Sequence, residues 1–197
     1  MKPVFIGIAG GTGSGKSTFC TAIHDKYPDT VGFVHLDDYF KPSTEVPKFE
    51  GMENWDHPDA LDFNKLAQNL SELTQGKSVI INTKSGRFNP DFPNTGKRIP
   101  IEFLSKPIML VEGFLVLWDK KVRVFFTTSI WFDLEHNTRW ARRVWFKGPI
   151  YEEKVLIPMH KKFVEPTKQY AEHVIDVSNL TKEQVLEKVE KIVLAFL

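Results

Sequence analysis

Apolar positions along this chain fall into short runs separated by polar or glycine-rich stretches. Val4 to Ala9 is a β-rich run ending in a glycine cluster, the pattern of a buried strand. Lys16 to Tyr27 follows as a helix, stopped by Pro28, whose ring clashes with the preceding turn. Val31 to Leu36 reads as a second strand, and Asp38 to Pro58, rich in Pro, Gly, Asn and acids, as an irregular loop. Phe63, Leu66, Leu70 and Leu73 share one face of the next helix, with Gly76 as its stop. Ser78 to Asn82 and Arg98 to Glu102 are short strands. Pro90, Pro93 and the Asn94-Thr95-Gly96 turn predict a hairpin-like excursion between them. Ile108 to Val111 and Ser129 to Phe132 are apolar strands, Asn137 to Phe146 and Val155 to Gln169 are helical, and Val174 to Val177 is the last strand. Thr181 and Gln184 have the spacing of a capping box at the start of the final helix.

Strand-helix alternation with apolar strands predicts an α/β fold, a parallel sheet covered by helices on both faces. Right-handed crossovers then bring the C-terminal strand ends to one crest, where ligands bind in such folds. A length of 197 residues fits one domain, residues 1–197, with a small hairpin insertion at about 82–98. Composition narrows the partners. Lys and Arg number 26 against 25 Asp and Glu, a formal charge of +1, so no general attraction to nucleic acid or an anionic membrane is expected. No apolar run approaches a membrane span, and no signal-peptide pattern opens the chain. One cysteine, Cys20, excludes an internal disulfide and fits a reducing compartment, most simply the cytoplasm; within the first helix it reads as a small core residue.

The strongest chemical signal is Gly10-Gly11-Thr12-Gly13-Ser14-Gly15-Lys16-Ser17, a full G-x-x-x-x-G-K-[ST] between a strand and a helix. Glycines let the backbone curl so that successive N–H groups point at phosphate oxygens, and the helix N-terminus adds its positive dipole end. Gly11, Thr12, Gly13, Ser14, Gly15, Lys16, Ser17 and Thr18 are therefore the expected nucleotide-binding residues. Lys16 brings a charge to the β- and γ-phosphates and the Ser17 hydroxyl suits Mg²⁺.

Three strands end in acids: Asp37, Glu112 and Asp133. One is expected to hold or orient Mg²⁺ and one to accept a proton from an attacking hydroxyl; Asp133 has helix capping as an equal alternative. Gly113 after Glu112 marks a close backbone approach. Asp37 is expected to end the strand beside the P-loop strand. No Asn-Lys-x-Asp for reading guanine is present, and the D-x-x-G at Asp29 precedes a strand, so phosphotransfer is favoured over a GTPase switch. The six histidines show no metal-ligand spacing.

Five segments carry a resemblance. The P-loop, His35-Leu36-Asp37-Asp38-Tyr39-Phe40-Lys41-Pro42, Asn54-Trp55-Asp56-His57-Pro58-Asp59-Ala60-Leu61-Asp62-Phe63, Val111-Glu112-Gly113-Phe114 and Pro158-Met159-His160-Lys161-Lys162-Phe163-Val164-Glu165-Pro166-Thr167 resemble, in order, the uridine kinase family. The Asp-Asp-Tyr-Phe-Lys-Pro stretch also resembles nicotinamide riboside kinases. The resemblance implies a P-loop NTPase fold with a helical lid at about 139–157, ATP and Mg²⁺ as cofactors, and transfer of the γ-phosphate to the 5′-hydroxyl of a small nucleoside-like substrate. It further implies Asp37 as general base, Asp56 on the ribose hydroxyls, and Trp55, Phe40 and Tyr39 beside the nucleoside. Ser17 and Glu112 would serve the metal, and Lys16 with Arg139 and Arg142 the transferring phosphoryl. Arg143 lies beside them. Asp38 stands where uridine kinases usually carry Ser. Homo-oligomers are common in the family.

The chain departs from the family in two places. The usual Tyr-Asp-Phe…His-Ser-Arg, whose Tyr and His touch uracil, is here Ile80-Ile81-Asn82-Thr83-Lys84-Ser85-Gly86-Arg87. The Arg-Asp that continues the lid helix is Phe146-Lys147, before Gly148-Pro149. Uridine or cytidine, nicotinamide riboside, and another small hydroxyl metabolite such as a sugar phosphate or a pantothenate-like acid all stay open as acceptors. So does an ATP-binding regulatory protein without turnover.

Overall fold

The computed structural model describes residues 2–141 and 147–197. Five parallel strands form the central sheet: β1 (Val4–Gly10), β2 (Val31–His35), β7 (Ile108–Glu112), β8 (Phe126–Asp133) and β9 (His173–Asp176), ordered β2-β7-β1-β8-β9. Two small ribbons lie outside it, β3 (Lys48–Phe49) with β4 (Met52–Glu53), and β5 (Val79–Thr83) with β6 (Ile99–Phe103). The helices are α1 (Lys16–Lys26), α2 (Phe63–Thr74), α3 (Phe92–Thr95), α4 (Lys120–Arg123), α5 (His136–Ala141), α6 (Pro149–Tyr151), α7 (Ile157–Met159) and α8 (Lys182–Leu194).

Each central strand supplies both faces, because successive side chains alternate. In β7, Ile108 and Leu110 pack with Phe19 and Ile23 of α1 and with Val185 and Val189 of α8. Met109 and Val111 point the other way, into a core with Leu66, Leu70 and Leu73 of α2. All five residues of β7 are buried, which suits a strand flanked on both sides. That placement corrects one expectation. β7 lies between β2 and β1, so Asp37 does not end the strand adjacent to the P-loop strand; Glu112 does.

Other expectations shift in detail. The strand expected from Ser129 begins at Phe126, pairing with β1 across an irregular register. The Asp38–Pro58 stretch is not wholly irregular: it holds short 3-10 turns and the β3–β4 ribbon. The hairpin excursion is present as the antiparallel β5–β6 pair, with α3 in its connection. The helix expected over Val155 to Gln169 runs from Pro149 to Tyr170, alternating α, π and 3-10 turns. Pro158 and Pro166 each remove a donor from that ladder, and the turns widen or tighten around them. The helix expected over Asn137 to Phe146 is seen as α5, and residues 142–146 lie outside the described residues. At α8 the capping box is formed in both directions between Thr181 and Gln184. Among the described residues no helix is long and apolar enough to cross a membrane.

Leu70 is fully buried whereas Thr181 is exposed at its helix end. Leu70→Ala is expected to cost about 2–5 kcal/mol of stability and Thr181→Ala about 1 kcal/mol, measured by urea unfolding. Equal losses would mean that the α2 face carries far less of the core than its burial implies.

Candidate active site

The turn from β1 into α1 passes through Gly13 and Gly15, both at positive φ (81° and 94°), where L side chains are strained. This curl opens a cavity of about 670 Å³, lined by residues 12–18, Asp37, Glu112 and the start of α8. Thr12, Gly13, Ser14, Gly15, Lys16, Ser17 and Thr18 all face it as expected. The buried Ser14 Oγ has no hydrogen-bond partner among the described residues, a polar atom suited to a ligand oxygen. Gly11 differs from the expectation, since it lies on the other side of the loop, in a neighbouring cavity with Arg139 and His160.

Lys16 is buried, and its Nζ donates to the Gly11 carbonyl at 3.1 Å. Burial lowers its pKa, opposed by the charges of Glu112 and Asp37. Glu112 accepts from Ser17 Oγ at 3.0 Å and from His35 Nδ1 at 2.6 Å. Burial alone would raise the Glu112 pKa, but the His35 hydrogen bond and the nearby His35 and Lys16 charges outweigh it and hold the carboxyl below its ordinary value. His35 moves the other way. Burial acts to lower its pKa, and the hydrogen bond and charge of Glu112 raise it above 6.5. His35 was not among the expected site residues. Its signal lies in the sheet register, where His35 stands directly opposite Glu112.

Asp37 and Asp38 part company in a 3-10 turn, Leu36–Tyr39, rather than on an extended strand. Asp37 faces the phosphate cavity, half exposed, with Lys84 Nζ 3.4 Å from Oδ2. Asp38 is buried, and accepts from Thr83 Oγ1 and the Lys84 backbone N–H, each at 2.9 Å. Arg98, just before β6, donates to the carbonyls of both aspartates. Asp38 thus ties the β5–β6 hairpin to the turn that carries Asp37. Gly113 meets its expected close approach, for a Cβ there would lie 2.3 Å from Leu36 Cβ.

The Phe40 ring lies edge-on to Trp55 at 5.5 Å and stacks near Phe114 at 6.3 Å. Lys84 Nζ lies 5.0 Å from the Phe40 ring centre, and Lys147 Nζ 4.8 Å from that of Trp55. Asp56 accepts from the Tyr151 hydroxyl at 2.7 Å, and that hydroxyl also accepts from the Trp55 N–H at 3.1 Å. Tyr151 carries no sequence signal at this position. Tyr39 corrects its expectation: its ring is buried in the core and its hydroxyl accepts from Asn69 at 2.9 Å. Asp133 does not line the phosphate cavity; it accepts from Lys168 at 2.8 Å and from Trp131. Arg139 is buried against the P-loop rather than on a solvated face. Arg142 and Arg143 lie outside the described residues.

Comparison with known proteins shows the family. The model of the phosphoribulokinase / uridine kinase family matches residues 5–147. The chain belongs to that family. It is 32% identical to a uridine kinase of Clostridium novyi (strain NT), over 98% of this chain and 96% of the relative. A uridine kinase of Clostridium perfringens (strain ATCC 13124) is 33% identical over 88% of this chain and 87% of its own. The solved structure of a possible uridine kinase from Bacillus stearothermophilus superposes with a TM-score of 0.61 at 19% identity, covering 89% of this chain and 90% of that one. The shared architecture is the P-loop NTPase α/β fold.

The His35–Glu112 pair carries a pH dependence with a definite sign. A raised histidine pKa contributes stability that is complete below 6.5 and is lost as pH rises through the folded value. The lowered Glu112 pKa contributes stability above 4.5, lost as pH falls through its folded value. Metal-free protein is therefore expected to lose Tm as pH rises from 6.5 to 8.5, and His35→Gln to flatten that slope. Parallel slopes in the two proteins would contradict it.

Proposed function

We propose that this protein is an ATP- and Mg²⁺-dependent nucleoside kinase of the uridine kinase type, which phosphorylates the 5′-hydroxyl of a nucleoside. The observation that carries this reading is the convergence of Asp37, Lys16 and the Ser17–Glu112 pair on one cavity. The uridine kinase relatives support the same acceptor class. The single cysteine, Cys20, buried and free, supports a cytoplasmic location.

The geometry supports a role for each residue. Curled P-loop amides and Lys16 take the phosphates of ATP. Ser17 and Glu112 are hard oxygen donors that fit Mg²⁺, which takes one or two protein oxygens alongside substrate phosphates and there offsets the charge on the β- and γ-phosphates. Asp37 accepts the proton of the attacking 5′-hydroxyl. The hydroxyl oxygen bonds to the γ-phosphorus, the bond to the β–γ bridging oxygen breaks, and ADP leaves with that electron pair. Asp56 takes the ribose hydroxyls, oriented by Tyr151, and Phe40 with Trp55 gives the base an aromatic shelf. Arg139 supports the donor phosphates from the far side of the P-loop; its charge already reaches Lys16.

One observation favours a second reading, in which the acceptor is nicotinamide riboside or another hydroxyl metabolite. The Ile80–Arg87 stretch holds neither Tyr nor His, and its Thr83 and Lys84 are engaged with Asp38 and Asp37.

Asp37→Asn keeps the shape and removes the proton acceptor. It is expected to lower kcat by about 10²–10⁴ with little change in ATP binding. Asp38→Asn is expected to spare kcat far more and to lower Tm instead, because it weakens the tie to the hairpin. If Asp38→Asn lost more kcat than Asp37→Asn, Asp38 would be the base. ADP release measured with uridine, cytidine, nicotinamide riboside and pantothenate decides the acceptor. No turnover with any nucleoside overturns the nucleoside kinase reading. Asp56→Ala is expected to raise KM for the nucleoside about tenfold or more, in the range of a lost charged hydrogen bond, and to leave ATP affinity nearly unchanged. Equal weakening of ATP would make Asp56 a structural acid.

A further inference from the structure

The P-loop is pressed from outside by a side chain that its own motif does not mention. A Cβ on Gly11 would lie 1.9 Å from Arg139 Nη1 and 2.9 Å from His160 Cε1. A Cβ on Gly13 would lie 2.8 Å from the Arg139 carbonyl oxygen. Arg139 therefore fills the space that two loop glycines leave open. Its guanidinium is fixed at two further points. Nε donates to the Leu134 carbonyl at 3.0 Å, and Nη2 lies 2.9 Å from His160 Nε2.

A guanidinium has donors only, so a hydrogen bond here requires Nε2 of His160 to be the acceptor. The imidazole must then be neutral, with its proton on Nδ1. Its surroundings enforce this. Burial first, then the charges of Arg139, His136 and Lys16, pull the His160 pKa down to about 3. His160 sits in one of the π turns of the 149–170 segment, a distortion frequent at functional sites.

We propose that His160 is a positioning residue for phosphotransfer: its neutral imidazole, accepting from Arg139, holds the guanidinium against Gly11 so that the P-loop and its arginine form one preformed donor-phosphate site. The kinetic part rests on the nucleoside kinase reading above; the geometry does not. Through this contact the 149–170 segment, which also carries Tyr151 at Asp56, bears on both sides of the reaction.

The proposal is tested in two independent ways on the full chain. Nitrogen NMR of the histidine rings needs no substrate. It is expected to show His160 as the Nδ1–H tautomer, still neutral at pH 5; an Nε2–H tautomer or an imidazolium at pH 5 overturns the proposal. In kinetics with ATP and uridine, His160→Gln, whose side-chain carbonyl can accept in place of Nε2, is expected to stay within about threefold of wild-type kcat, an allowance for imperfect placement. His160→Ala and Gly11→Ala, which unseat the same guanidinium from either side, are each expected to lose about tenfold or more, and their combination no more than the worse single change. Losses that multiply, or a Gln variant as impaired as Ala, overturn it. If His160→Ala does not fold, Gly11→Ala and His160→Gln still decide. Should wild-type protein turn over no nucleoside, the function reading fails alone, and the inference is judged by the ring tautomer together with ATP affinity. Calorimetry is then expected to show ATP binding weakened by His160→Ala and retained by His160→Gln; equal affinities in all three proteins overturn it.

Discussion

A carboxylate buried at the end of the most enclosed strand cannot stay charged without partners, and the crest of this sheet is organised around meeting that requirement. Glu112 leaves β7 between β2 and β1. It finds His35 across one strand boundary, and Ser17 and the Lys16 charge across the other. Desolvating an ion costs several kcal/mol before any pairing is counted. His35 ends β2 on one flank of β7, and Ser17 and Lys16 open α1, which follows β1 on the other flank, so their offset depends on the strand order.

The same logic divides the two neighbouring aspartates. On an extended chain they would point to opposite faces and nothing more. The 3-10 turn at Leu36–Tyr39 leaves Asp37 at the mouth of the phosphate cavity and swings Asp38 inward to the hairpin. Burial acts to raise the Asp38 pKa, while the Lys84 N–H and Thr83 hydroxyl limit the shift. One acid is left half in solvent and the other works as a bracket. The stretch that departs from the family thus meets both aspartates, Asp38 through Thr83 and the Lys84 N–H, and Asp37 through the Lys84 ammonium.

The Asp56 cluster and the P-loop meet in the 149–170 segment. Tyr151 holds Asp56 and the Trp55 backbone, and His160 holds Arg139 against Gly11. The backbone between them alternates helix types around two prolines, a ladder with missing donors and correspondingly adjustable turns. That irregularity aims both side chains at the crest from one segment.

The sequence alone determined the features that rest on local physics. Alternating apolar runs dictated an α/β sheet with helices on both faces; glycine placement marked the P-loop; the Thr181–Gln184 spacing marked the last helix start. Lys16, Ser17, Asp37 and Glu112 stood out as candidates because their residue types stand at strand ends or inside a motif whose chemistry is specific, whereas Asp56 entered only through the family resemblance. The tertiary structure decided everything set by strand order and side-chain direction. Periodicity carries no information on which strand lies centrally, so Glu112 rather than Asp37 beside β1 was invisible, and with it the His35 partnership. Nor could spacing tell that Tyr39 turns into the core, that Asp133 meets Lys168, or that Arg139 lies under a loop instead of in solvent. Those outcomes depend on contacts between residues tens of positions apart, which no local pattern encodes.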